Sequence, residues 1–115
     1  MPTDPIVDME HLARYTGGDV ALNAEVLRLF DSQINELVAQ LRGILAAHDA
    51  KSWKHVTHTL KGAARGIGAF GFADAAARLE PLDLAADQAI ASLGLDTLDA
   101  EALAVARFIR AYGAG

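Results

Sequence analysis

The sequence contains no cysteine, only three prolines and no long apolar run. Without cysteine the chain forms no disulfides and offers no thiolate ligands to a metal ion. No stretch approaches the roughly 18 consecutive apolar residues that a membrane-spanning helix needs. The acidic start lacks the basic segment and apolar stretch of a signal peptide. We therefore expect a cytoplasmic protein with no membrane contact.

Basic residues are also scarce: 10 Lys and Arg stand against 15 Asp and Glu, for a net charge of −5 at pH 7. This balance argues against nucleic acid as a partner, because neutralising phosphates needs a basic surface. Yet four of the ten basic residues fall within one short segment: Lys51, Lys54, Lys61 and Arg65. Such a local patch suits a small anion or an acidic protein partner, although a solvated helix face is the alternative.

Apolar periodicity predicts an all-α fold in a single domain over residues 1–115. The longest stripe recurs at alternating spacings of three and four, which is typical of a helix packed in a bundle. It consists of Leu27, Phe30, Ile34, Leu37, Leu41 and Leu45. Four main amphipathic helices with short connections predict an antiparallel up-and-down four-helix bundle with a short additional N-terminal helix. Residues 1–7 are expected to be an extended lead-in, and the compact acidic bundle is expected to be a monomer.

Aspartates and glycines predict where the helices begin and end. Asp8, Asp19 and Asp49 are candidate N-caps for the first three helices. The fourth helix is expected from about Ala69 to Leu79, where Pro81 ends or kinks it. Residues 82–95 are ambiguous.

The last helix is expected to start at Asp96 or Asp99, after a loop at Gly94, and to end at Gly113.

One histidine lies at the centre of the basic segment. On a helical wheel at about 100° per residue, six residues fall within roughly 60° of His58. They are Lys51, Lys54, His55, Lys61, Gly62 and Arg65. The opposite half is apolar and holds Trp53, Val56, Leu60, Ala63, Ala64 and Ile67. We therefore expect His58 to face water among cations.

These residues suit phosphoryl transfer. A histidine with an ordinary pKa of about 6.5 presents a neutral imidazole whose exposed nitrogen can attack phosphorus. Lys61, one turn further along the helix, is placed to meet the phosphoryl oxygens, and Arg65 and Lys54 add to the positive field. Gly62 leaves room for another protein to approach closely.

Glu80 is the candidate for orienting the imidazole. If the third and fourth helices turn near Gly68 and Ala69, residues equally distant from that turn lie at the same height, which pairs His58 with Glu80. A carboxylate that accepts from Nδ1–H would make Nε2 the nucleophile. The alternative is that Glu80 is simply an exposed carboxylate.

Two other patterns are weaker. The glycines from Gly66 to Gly71 match G-x-G-x-x-G, but a helix precedes them and no strand is predicted, so they are interpreted as helix-ending and packing glycines. His55 and His58 have the i, i+3 spacing of two metal ligands, but lysines surround them and no Glu precedes either by three. We expect no metal site.

The segment His58-Thr59-Leu60-Lys61-Gly62, followed by Gly68-Ala69 and Leu79-Glu80, resembles the signature of the histidine-containing phosphotransfer (HPt) domain. Upstream, Tyr15-Thr16-Gly17-Gly18-Asp19 and Leu29-Phe30 are similar to the opening helices of that family. The chain departs from the family pattern at Ala63, where serine is common, and at Pro81, which interrupts a helix that usually continues.

The resemblance implies a four-helix bundle in which His58 accepts a phosphoryl group from the aspartate of one receiver domain and passes it to another. Receiver domains of hybrid histidine kinases and response regulators would be the partners. Lys61 would be the cation beside the phosphate, Gly62 the docking glycine, and Glu80 the residue that steadies the ring. We expect Lys54, His55 and Arg65 to belong to the docking face around Gly62. The chain would need no cofactor of its own, since Mg²⁺ would belong to the receiver.

Two functions of other classes stay open at this stage. A docking module could use the same face without being phosphorylated. An autonomous enzyme is the other alternative, although the sequence has no G-x-x-x-x-G-K-[ST] loop for ATP.

Overall fold

The computed structural model describes residues 5–114, which form helices and no strand. The helices are α1 (Met9–Thr16), α2 (Val20–Ala46), α3 (Ala50–Ile67), α4 (Phe70–Leu79) and α5 (Gln88–Ala114). The all-α prediction is therefore confirmed. Between residues 5 and 114, no helix is both long enough and apolar enough to cross a membrane.

Helices α2 to α5 form an antiparallel bundle in which each helix packs against two neighbours. The start of α2 meets the end of α5, where the amide of Asn23 donates to the hydroxyl of Tyr112 at 3.1 Å. Near the other end of α2, Arg42 pairs with Asp96 at 2.7 Å. Helices α3 and α5 lie diagonally across the bundle, and α1 packs on α2 and α3. This is the up-and-down bundle with an additional N-terminal helix that the sequence predicts.

The predicted apolar stripes supply the core. Leu27, Phe30, Ile34, Leu41 and Leu45 of α2 are buried. From α3, the apolar half contributes Trp53, Val56, Leu60 and Ala64. Because these residues fix the rotation of α3 about its axis, the His58 half of the helix faces solvent.

The predicted caps are present. Asp8, Asp19 and Asp49 each accept a hydrogen bond from a backbone N–H in the first turn of the helix that follows. Gly68 ends α3 in the left-handed region at φ 89°. The G-x-G-x-x-G match is thus a helix end and its flanks, and it lies between two helices.

The prediction for the last helix was wrong at both ends. α5 begins at Gln88 instead of Asp96 or Asp99, and it continues past Gly113 to Ala114. Gly94 lies inside the helix, where an added Cβ would come within 2.5 Å of Leu79 Cδ2. This glycine therefore permits close contact between α4 and α5 instead of forming a loop.

Residues 80–87 join α4 to α5 in a compact turn. The helix ends at Leu79, directly before Glu80 and Pro81, as the proline predicts. The carboxylate of Asp87 accepts from the Asp83 backbone N–H at 2.9 Å, and Asp83 accepts from the Ala85 N–H at 2.9 Å. These hydrogen bonds order the second half of the connection, from Asp83 to Asp87, directly before α5 begins.

The lead-in predicted over residues 1–7 is only partly within the described residues, since 1–4 lie outside them. Residues 5–7 are not helical, but Val7 is buried. The backbone N–H of Asp8 donates to the carbonyl of Gly68 at 2.9 Å. This stretch is therefore packed against the turn between α3 and α4 instead of extending freely from the domain.

Candidate functional site

His58 lies near the middle of α3 on the solvent side of the bundle. Its side chain is 68% exposed. The neighbouring Thr57 and Leu60 are fully buried, so the ring sits directly above the core without entering it. An exposed imidazole on a rigid helix can be reached by another protein while its position stays fixed.

Glu80 holds one side of this ring. Its Oε1 lies 3.0 Å from Nδ1 of His58, and the Glu80 side chain is only 17% exposed. The residue caps α4, with its backbone N–H bonded to the carbonyl of Ala76 at 3.3 Å. The predicted pairing of Glu80 with His58 across the antiparallel helices is confirmed as a contact.

Lys61 holds the other oxygen of the same carboxylate. Lys61 Nζ lies 2.6 Å from Glu80 Oε2, and the lysine side chain is 20% exposed. The sequence pattern predicts Lys61 beside a phosphoryl group, and the ion pair with Glu80 was not predicted. The spacing that puts His58 level with Glu80 also brings Lys61, one turn away, within reach of the same carboxylate, so the signal was available.

The pKa of Glu80 is lowered from its ordinary value, mainly by the hydrogen bond from Lys61 and also by that from His58, with desolvation opposing both. The carboxylate is therefore ionised at neutral pH and can only accept hydrogen bonds. It follows that the bond at 3.0 Å is donated by Nδ1–H of His58. In the neutral ring, the lone pair then resides on Nε2.

The core fixes the position of Glu80. The indole nitrogen of Trp53, which is buried on the apolar side of α3, donates to the carbonyl of Leu79 at 2.8 Å. Leu79 is itself buried and directly precedes Glu80. The end of α4 is thereby tied to α3 five residues before His58, which limits the freedom of the carboxylate.

The remaining predicted residues share the solvent face of α3. Lys54, His55, Gly62 and Arg65 are all exposed. A Cβ added at Gly62 would meet no atom within 4 Å, so the backbone at that position is open to an approaching surface. No group of three or more His, Asp or Glu side chains suited to a metal lies within residues 5–114.

An apolar groove that the sequence did not single out runs beside Gly62, between α2 and α3. It has a volume of about 280 Å³ and is lined by Val26, Leu29, Phe30, Gln33, Ala63 and Ile67. Leu29 is 66% exposed although it is large and apolar. The available signal was the position of Leu29 outside the buried stripe of α2.

Comparisons with known proteins agree with this geometry. The family model described as the Hpt domain matches residues 25–108. Among solved structures, the crystal structure of histidine-containing phosphotransfer protein B (HptB) from Pseudomonas aeruginosa PAO1 is similar to the chain. The two are 22% identical in sequence, the match covers 94% of each chain, and the TM-score is 0.82.

No match is found among curated protein sequences. The likeness to HptB shows that the two proteins share a fold. The family match supports more than a shared fold, because it spans most of the chain and includes His58, Lys61 and Glu80. The chain therefore belongs to the Hpt domain family, whose function is histidine phosphotransfer in phosphorelays.

Proposed function

We propose that His58 carries the phosphoryl group, on Nε2, and that the protein passes it between the aspartates of two receiver domains. The observation that supports this most directly is that the two nitrogens of the His58 ring have different surroundings. Nδ1 is held by a mostly buried carboxylate, while most of the His58 side chain, at 68% exposure, is open to solvent. A receiver can approach only the side that holds the lone pair.

The chemical step balances without a further reactant. The Nε2 lone pair forms an N–P bond, the P–O bond of the receiver's aspartyl phosphate breaks, and its electron pair stays on the aspartate as a carboxylate. The imidazole ring, still protonated at Nδ1, gains positive charge as the N–P bond forms. Glu80 lies 3.0 Å from that ring nitrogen and stabilises the charge, as a carboxylate does for a catalytic imidazolium. Transfer to the second receiver reverses these changes.

Lys61 has two roles: it binds the carboxylate of Glu80, and it donates to the phosphoryl group. Its ammonium keeps Glu80 ionised and in place, at 2.6 Å from Oε2. The ammonium group has three donors, so it can bind the carboxylate and still donate to a phosphoryl oxygen. Lys54 and Arg65, both exposed on the same face, add positive charge around an incoming phosphate.

The receiver would dock over Gly62 and the groove that contains Leu29. Open backbone and an exposed apolar side chain lie there next to the basic face, a combination suited to a partner with an acidic, phosphorylated centre. The receivers belong to hybrid histidine kinases and response regulators, and they supply the Mg²⁺ for transfer. The chain itself is a carrier and does not phosphorylate His58 from ATP.

The test is a reconstituted relay. A receiver carrying labelled phosphate is mixed with the protein and Mg²⁺, and label is followed onto the chain and then onto a second receiver. The wild type and His48→Asn should both carry label, because His48 is an exposed histidine in the turn between α2 and α3, outside the docking face. His58→Gln should carry none. Label on the His58→Gln protein would overturn the assignment, and a docking module would leave even the wild type unlabelled.

A further inference from the structure

The solvent face of α5 carries a stripe with the spacing of a coiled-coil seam. Six exposed residues recur at alternating intervals of three and four: Leu93, Asp96, Ala100, Leu103, Arg107 and Arg110. Within this stripe, Leu93 is 68% exposed and Leu103 is 51% exposed. Nothing within the described part of the chain covers this stripe.

When two copies of α5 are placed antiparallel, the stripe of one copy brings opposite charges against the stripe of the other. If two copies of α5 lie antiparallel with their midpoint between Ala100 and Leu103, Asp96 faces Arg107 of the partner subunit. Leu103 then faces Ala100 of the partner subunit, and both contacts occur twice by symmetry. Parallel alignment would instead place each charge against its own copy. The charges therefore favour the antiparallel orientation, in which the aliphatic stem of Arg110 of the partner subunit faces Leu93.

The charged groups in this arrangement are accessible. Asp96 is 65% exposed and uses Oδ1 to bind Arg42, which leaves Oδ2 free to accept a second guanidinium. Arg42 also binds Asp99 at 2.8 Å, so it keeps a partner if Asp96 is shared. Arg107 and Arg110 form no ion pair with any of residues 5–114.

A shallow groove beside the stripe offers further apolar contact. It lies between α2 and α5, has a volume of about 320 Å³ and includes Val38, Ala39 and Ala106 next to Leu103. A leucine from an antiparallel α5 could pack against this groove, and the two-fold axis would repeat the contact on the other subunit.

We propose that a second copy of this chain docks antiparallel on α5, giving a two-fold dimer. Because α5 lies diagonally across the bundle from α3, both His58 sites stay open to receivers. A single helix pair about 40 Å long is a small interface for a dimer, so self-association should be detectable only at high protein concentration. The monomer expected from the sequence is then the form present in dilute solution.

The test uses analytical ultracentrifugation over roughly 1 µM to 1 mM protein. The wild type should approach twice the monomer mass with increasing concentration. Arg107→Glu and Asp96→Lys should each weaken self-association by about tenfold or more, because each places like charges together at two symmetric positions. Arg14→Glu, which makes the same charge change at an exposed position on α1, should associate like the wild type.

An equimolar mixture of Arg107→Glu and Asp96→Lys should associate again. In the antiparallel register the introduced lysine of one variant faces the introduced glutamate of the other, and the native Asp96 faces the native Arg107. A wild type that stays monomeric throughout, a dimer unaffected by either variant, or a mixture that stays apart would each overturn the proposal. Circular dichroism confirms that every variant is folded. Phosphorylation of His58 does not depend on this interface, so failure here leaves the relay assignment unchanged.

Discussion

Glu80 Oε1 and His58 Nδ1 lie 3.0 Å apart although 22 residues separate them in the sequence. The contact joins the end of α4 to the middle of α3. Its carboxylate is mostly buried and shared with Lys61, whereas the histidine is mostly exposed. The site therefore combines a fixed inner side with an open outer side, and each side can be tested separately.

Glu80→Gln should slow phosphotransfer without abolishing it. The amide preserves the shape of the side chain and can still accept from Nδ1–H, but it lacks the negative charge that stabilises the ring as the N–P bond forms. Replacing a charge-assisted hydrogen bond, worth about 1.5 to 3 kcal/mol, by a neutral one predicts a rate loss of roughly tenfold or more. Rapid-quench transfer from a phosphorylated receiver measures this rate.

The matched control is Asp74→Asn, which neutralises an exposed carboxylate on α4 away from the histidine contacts. It should transfer at the wild-type rate. Equal rates for Glu80→Gln and the wild type would show that the carboxylate has no part in the step.

Lys61→Ala should raise the pKa of Glu80 toward its ordinary value, because the lysine is the largest cause of the lowered pKa. The same substitution should slow transfer or shorten the lifetime of the phosphorylated protein. Titration of the Glu80 side-chain carboxyl carbon by NMR reports the pKa directly. Lys54→Ala removes an exposed lysine from the same face and should leave that titration unchanged; if Lys61→Ala also leaves it unchanged, the ion pair is not a determinant of the site.

The contribution of Glu80 to the free energy of unfolding should decrease as the pH falls. Its pKa in the folded protein is below the ordinary value of 4.5, so the unfolded chain takes up the proton first as the pH falls. The contribution is therefore complete above about pH 5.5 and is lost as the pH decreases through the lowered folded pKa. Urea unfolding of the wild type and Glu80→Gln should give a free-energy difference that is present at about pH 5.5 and shrinks below about pH 4.5. A difference that stays constant down to about pH 3 would contradict this.

Replacing Gly62 and Gly68 by alanine should change the stability of the fold in opposite directions. Gly62 lies inside α3 with open space around it, so Gly62→Ala should stabilise the fold by about 0.5 to 1 kcal/mol. Gly68 has φ 89°, and an added Cβ would lie 2.7 Å from the Asp8 carbonyl oxygen. Gly68→Ala should therefore destabilise by at least about 1 to 2 kcal/mol. Thermal unfolding compares the two.

The Gly62→Ala protein also tests docking. If a receiver approaches closely over this position, the variant should transfer phosphate more slowly even though it is more stable. Wild-type transfer by the stabilised variant would place the docking contact elsewhere.

The sequence predicted most of the site because its signals are local or follow from simple geometry. The wheel position of His58 and the antiparallel height of Glu80 need only regular helices, and both agree with the structure. The start of α5 could not be predicted from local residue types, because it depends on packing between helices. Gly94 and Asp96 have the residue types of a loop and a cap, but Gly94 is selected by the side chain of Leu79 packing against it from α4.

The Lys61–Glu80 ion pair was missed for a related reason. Each residue was assigned its own role beside the histidine, and only the three-dimensional arrangement shows that one carboxylate binds both partners.

The most direct test of His58 as the phosphoryl carrier is to identify the atom that bears the phosphoryl group. Long-range ¹H–¹⁵N NMR spectra of the protein, recorded before and after incubation with a phosphorylated receiver, distinguish the two ring nitrogens of each histidine. We expect Nε2 of His58 to become phosphorylated while Nδ1 keeps its proton and its hydrogen bond to Glu80. Phosphate on Nδ1 of His58, or on any other residue, would contradict it.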